Sequence, residues 1–122
     1  DATDNFRTRF VLNEFAQIHD IPLVHGAVEE CFGQVTTIIP GETPCLSCIF
    51  PEVVEKGDTA IIGPAAGVIG SLQALEVIKW ITGTGQLLAG RLLVWDGLSG
   101  KTEYLKLSKR KDCPVCRKKG KQ

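Results

Sequence analysis

Four of the five cysteines fall into two pairs, Cys45-Leu-Ser-Cys48 and Cys113-Pro-Val-Cys116, with 64 residues between the pairs. A two-residue spacer lets one tight turn present two thiolates to a single ion. Two such turns complete the closed tetrahedral shell that zinc prefers, with no position left for water, so the site predicted at Cys45, Cys48, Cys113 and Cys116 is structural. The competing reading is two disulfides in a secreted chain. An odd fifth cysteine, and an opening on Asp1 rather than on a basic and apolar leader, weigh against it. Lys111, Arg117, Lys118 and Lys119 flank the second pair and would offset part of the negative charge of a four-thiolate site. Cys31 stands beside Glu29 and Glu30, whose charges would raise a thiol's pKa rather than activate it, so it reads as a small core residue. His19 and His25 sit in no recognisable constellation and read as structural, His25 being the better candidate for a site.

The elements that must position these residues follow from pattern. Asp4 can cap a helix in which Phe6, Phe10, Val11, Phe15 and Ile18 recur at helical spacing up to His19, with Arg7 and Arg9 as exposed charges. Asp20-Ile21-Pro22 ends it, because the residue before proline is pushed out of the helical region. Residues 23–28 and 32–39 read as two strands, and Pro40-Gly41 turns the chain into the loop carrying the first cysteine pair. Residues 52–60 read as a polar, mobile loop without a cysteine. A long apolar helix follows from Pro64 to Thr82, with proline at its start and Gly83 at its stop. Gly67 and Gly70, with Ala66 and Ala74, predict a smooth face for close helix packing. The same glycines do not make a phosphate loop, since the Lys-Ser/Thr that grips phosphate is missing. Residues 91–95 and 101–107 read as a second hairpin about the 96–100 turn. The predicted class is α/β: helices packed on a largely antiparallel sheet, with the four-cysteine zinc site after the hairpins.

Charge is unevenly placed. Residues 1–100 hold 5 basic and 12 acidic side chains, whereas residues 101–122 hold 9 and 2. The basic end, 108–122, includes the second cysteine pair. It lacks the interleaved aromatic residues of a single-strand binder, so nucleic acid is not the expected partner. No apolar run reaches the roughly 18 residues of a membrane span, the stretch from Ile61 to Ile81 being broken by Pro64, Gln73, Glu76 and Lys79.

The opening stretch Asp1-Ala-Thr-Asp4-Asn5-Phe-Arg-Thr-Arg9 resembles the D-x-x-D-N-x-x-x-R segment of the ThiF/MoeB/HesA family of ubiquitin-activating-enzyme-like adenylating proteins. The resemblance continues in order through Pro22-Leu-Val-His-Gly-Ala27, Gly33-Gln-Val35, Cys45/Cys48, Gly63-Pro64, Gly67-Val-Ile-Gly-Ser-Leu-Gln-Ala-Leu-Glu-Val-Ile-Lys79 and Cys113/Cys116. It covers nearly the whole chain. It implies the C-terminal portion, residues 1–122, of a Rossmann-like domain that adenylates the C-terminal glycine of a ubiquitin-like modifier or sulfur carrier. In that reaction the partner's carboxylate attacks the α-phosphate of ATP and pyrophosphate leaves. By resemblance Asp4 and Arg9 carry catalysis, and Asp4, Asn5 and Arg9 contact or shape the site of ATP and magnesium, a role that suits the hard oxygens of a carboxylate. The family's glycine-rich nucleotide loop would precede Asp1, so these residues are expected to be part of an enzyme rather than all of one. Without a cysteine at 52–60, adenylation alone is expected, with no covalent transfer step. The resemblance also implies a cytoplasmic homodimer in thiamine, molybdopterin or modifier biosynthesis. The alternative function is a zinc-stabilised module that binds a protein or nucleic acid without catalysis.

Overall fold

A computed structural model describes residues 1–52, 57 and 60–117 of the chain. The order is α1 (Phe6–His19), β1 (Leu23–Glu29), β2 (Phe32–Ile38), the single turn α2 (Leu46–Ile49), α3 (Gly63–Thr82), β3 (Arg91–Asp96) and β4 (Thr102–Lys106). All four strands form one antiparallel sheet in the order β1-β2-β3-β4.

The start and stop signals work as expected in α3, where Pro64 occupies the first turn and Gly83 closes the helix at φ 68°. At α1 they work differently. Asn5, not Asp4, is the cap: its side chain accepts the Thr8 N–H at 2.8 Å, while the Asp4 carboxylate accepts from the Asn5 amide at 3.0 Å. The first hairpin turns on only two residues, Glu30 (φ 54°) and Cys31, between the paired Glu29 and Phe32. Cys31 is therefore a half-buried turn residue rather than a core one.

The sheet is covered on both faces. On one side α3 packs over β1 and β2, and Val35, Ile69, Leu88 and Leu93 form the core. On the other side lie α1 and the two cysteine turns, with Ile38, Leu46 and the four thiols as core and Phe10, Leu23 and Phe50 against them. The close approach of α3 to the sheet is granted by glycines of the strands. A Cβ on Gly33 would overlap the Ile69 side chain, and one on Gly26 would overlap the Gln73 amide. The helix glycines play no such part: Gly67 and Gly70 have nothing within 4 Å of a built Cβ, and Ala66 and Ala74 are exposed. The packed face of α3 is instead Ala65, Ile69 and Glu76. Glu76, 2% exposed, accepts from the Thr37 hydroxyl and the Leu88 N–H and pairs with Lys79, so it ties α3 to β2 and to the segment that leads into β3. No helix among the described residues is long and apolar enough to cross a membrane.

Candidate metal centre and the Asp1–Arg9 segment

Both cysteine turns are built by local backbone hydrogen bonds. Cys45 begins α2 and its carbonyl accepts from the N–H groups of Cys48 and Ile49, while Cys113 N–H reaches the Arg110 carbonyl at 3.3 Å. Two side chains join the turns to the rest of the protein. Asn13, fully buried on α1, accepts the Leu46 N–H at 3.0 Å and stands 3.4 Å from the Ser47 hydroxyl. Arg110 donates to the Ser47 carbonyl at 3.2 Å and pairs with Asp112. Neither carries a sequence signal of this role; of the residues expected to supply compensating charge, Lys111, Arg117, Lys118 and Lys119, the last two lie outside the described residues.

The chain thus brings together the four thiols that its spacing predicts. Their sulfurs all lie within 4.8 Å of one another, and Cys45, Cys48, Cys113 and Cys116 are positioned to hold a metal ion. Individual separations are 4.0 Å for Cys45–Cys48, 3.6 Å for Cys45–Cys113 and 3.3 Å for Cys48–Cys116. These are well beyond the roughly 2.05 Å of a disulfide bond. Burial pushes the Cys45 and Cys116 thiols up. At Cys113 burial acts in the same sense but is outweighed by hydrogen bonds from the Cys116 and Val115 backbone, which bring that thiol down to about 7. Four crowded sulfurs resist ionising together, and a divalent cation is what removes that conflict.

The Asp1–Arg9 segment leads into α1 on the same face of the sheet. Asp4 is exposed, next to the helix start. Arg9 is not the exposed helix charge that its polar neighbours suggest. It is 6% exposed, its Nε 3.2 Å from Asp1 Oδ2 and its Nη2 donating to the Thr3 carbonyl at 2.8 Å, with the guanidinium over the Phe6 ring. His25 on β1 is fully buried beside them, and burial, seconded by the charge of Arg9, lowers its pKa to about 3, so it is a neutral imidazole. His19 is exposed on the last turn of α1 and stacks on Phe15. The 52–60 loop falls mostly on residues outside those described.

A model of the ThiF family matches residues 1–115. The SAMP-activating enzyme E1 of Haloferax volcanii is 41% identical over 122 residues, covering 95% of this chain and 45% of that protein. The adenylyltransferase and sulfurtransferase MOCS3 of Drosophila yakuba is 42% identical over 123 residues, covering 95% of this chain and 27% of its own length. Among solved structures, E. coli MccB with ATP superposes with a TM-score of 0.77 over 92% of this chain and 37% of MccB, at 18% identity. That last likeness is one of fold. The chain spans less than half the length of each of these relatives.

Proposed function

Since the chain belongs to the ThiF family, we propose that residues 1–122 form the C-terminal part of an ATP-dependent adenylyltransferase that activates the C-terminal glycine of a ubiquitin-like modifier or sulfur carrier. The observation that carries this reading is the alignment of 95% of the chain, above 40% identity, with proteins named as an activating enzyme and an adenylyltransferase. The geometry is in keeping with it. Because Asn5 caps α1, the exposed Asp4 carboxylate is spared that duty and is available as a hard oxygen ligand for magnesium, with Asn5 beside it and Arg9 behind. ATP, when bound with magnesium, supplies the α-phosphate to which the partner's carboxylate oxygen bonds as pyrophosphate leaves. This chain's own contribution is to hold Asp4 in place and to offer the sheet and its turns to the partner's tail.

Zinc is the metal proposed at the four thiols. Zinc–sulfur bonds of about 2.3 Å set tetrahedron edges of about 3.8 Å, which the separations of 3.3, 3.6 and 4.0 Å bracket. All four donors are protein sulfur, so the ion would act as a cross-link and not in catalysis. With no cysteine between residues 52 and 60, the proposed activity stops at adenylation. A cytoplasmic homodimer completes the reading.

The test is exchange of labelled pyrophosphate into ATP by the intact protein. Exchange should require a ubiquitin-like protein ending in glycine and should vanish in Asp4→Ala. Exchange that ignores the carrier, or none with any such carrier, would sink the proposal.

A further inference from the structure

The groups around Asp1 form a cluster drawn from four elements, and they converge on the turn that precedes Asp4. The Asp1 carboxylate is wholly buried. Its Oδ1 accepts from the Thr3 N–H at 2.9 Å and from the Thr3 hydroxyl at 2.6 Å, which folds residues 1–3 into a tight turn. Its Oδ2 lies 3.2 Å from Arg9 Nε on α1 and 3.5 Å from His25 Nδ1 on β1. Arg9 also reaches the Thr3 carbonyl, so one guanidinium spans both ends of the turn. From the far side Gln73 of α3 donates to the Asp1 carbonyl at 2.7 Å and to the Val24 carbonyl at 3.2 Å, passing over Gly26. The Gln34 amide nitrogen lies 3.3 Å from His25 Nε2. When that amide donates, the imidazole proton sits on Nδ1, the ring nitrogen nearest Asp1 Oδ2; Asp1 Oδ2, Arg9 Nε and His25 Nδ1 are buried at contact distance without completing a hydrogen bond to one another.

We propose that Arg9 and His25 are positioning residues which grip the Asp1 carboxylate from two sides, hold the Asp1–Thr3 turn and thereby fix where Asp4 presents its own carboxylate. The proposal rests on the reading of Asp4 given above. Arg9 then acts through Asp1 and Thr3, not by touching phosphate. A guanidinium suits this task because one rigid planar group carries both the donor to the Thr3 carbonyl and the positive charge beside Asp1 Oδ2, whereas an ammonium is a single point charge. His25 matters as a neutral imidazole packed against Asp1 with a fixed tautomer. Gln73 needs the absence of a side chain at residue 26 to reach Asp1.

The experiment has two arms. In the first, nitrogen-resolved NMR of the histidine side chains in the intact protein, assigned with His25→Asn, should show the His25 proton on Nδ1, and Arg9→Lys should shift that signal. A proton on Nε2, or a signal indifferent to Arg9→Lys, overturns the clamp whatever the protein's activity. In the second, Arg9→Lys and Asp1→Asn are compared singly and together in pyrophosphate exchange. Each should lower kcat by about 100-fold, the scale expected for an ångström of misplacement, with KM for ATP within about threefold. The double variant should be no worse than either single one, since both break the same grip. Multiplying losses would place Arg9 on the nucleotide and overturn the proposal. Gly26→Ala, which leaves Arg9 itself intact, should reproduce the kcat defect by displacing Gln73. If the first arm succeeds while Asp4→Ala leaves exchange untouched, the reading of Asp4 fails and its positioning by the clamp falls with it. If the first arm fails while Asp4→Ala abolishes exchange, only the clamp is lost.

Discussion

At the start of α1 the side chain accepting the Thr8 N–H belongs to Asn5, which leaves the Asp4 carboxylate exposed and accepting from its neighbour's amide. The two positions should therefore separate in a pair of variants. Asn5→Ala loses the cap and is expected to cost about 1 kcal/mol of stability. Asp4→Ala is expected to cost less than about 0.5 kcal/mol, as for an ordinary surface residue, while losing activity; urea melts of both variants check the contrast. His25 supplies a pH signature. Its folded pKa of about 3 lies below the unfolded value of 6.5, so the folded state binds fewer protons and stability is lost as pH falls below 6.5. The loss approaches about 1.4 kcal/mol per pH unit. Denaturation of wild type and His25→Asn at pH 7.5 and pH 5 should show the wild type losing about 2 kcal/mol more than the variant. The cysteines were legible from sequence because a C-x-x-C turn is local and its chemistry belongs to one residue type. Arg9 was not. Its partners Asp1 and Thr3 lie outside the helix, His25 lies on another element, and the run Arg9, Asn13, Gln17 has the spacing of a solvated face.

That run marks α1 as an inside-out helix. Arg9, Asn13 and Gln17 point inward, whereas Val11, Phe15 and Ile18 are 64%, 54% and 73% exposed. A pattern rule assigns the apolar stripe to the core; here Arg9 and Asn13 face inward because they serve the turns around Asp1 and Leu46, while Gln17 is buried with no hydrogen-bond partner among the described residues. The helix itself, its length and all four strands were readable, since turn residues and β-branched runs are local signals. The packing of α3 was not, because which residues approach closely depends on the sheet opposite. Gly33 and Ile69 test that account. Gly33→Ala should destabilise the fold by about 1–3 kcal/mol, the usual cost of an overpacked core, and Ile69→Val in the same chain should return part of it. Thermal melts of the single and double variants would show this. A Gly33→Ala protein as stable as wild type would mean that α3 sits further from the sheet than described.

For the molecule as a whole the metal and the bare apolar surface decide behaviour in solution. Elemental analysis of protein purified without added metal should give one zinc per chain, and a chelator should lower the melting temperature, because metal binding and folding are coupled. A metal-free protein with two disulfides is the result that removes the site. The outer side of α3 carries Leu75, Ile78 and Ile81 at 50%, 54% and 74% exposure, with Trp80 at 45%. β4 adds a sheet edge on which Tyr104 and Leu105 are both exposed. Apolar surface of this kind usually marks an interface. Light scattering of the isolated 122-residue chain at micromolar concentration should therefore report self-association, and a well-dispersed monomer that binds no hydrophobic dye would refute it.

The two halves of the metal site also differ in when they are made. Cys48 is made 65 residues ahead of Cys113, and Cys45 68 residues ahead. At about 5–20 residues per second that is an interval of roughly 3–13 seconds. Through it the first turn exists as a dithiol with no second pair to complete its shell, open to oxidants or to a carrier that hands over the ion. The metal centre is thus assembled in two stages, its first pair waiting as an open dithiol until the second has been made.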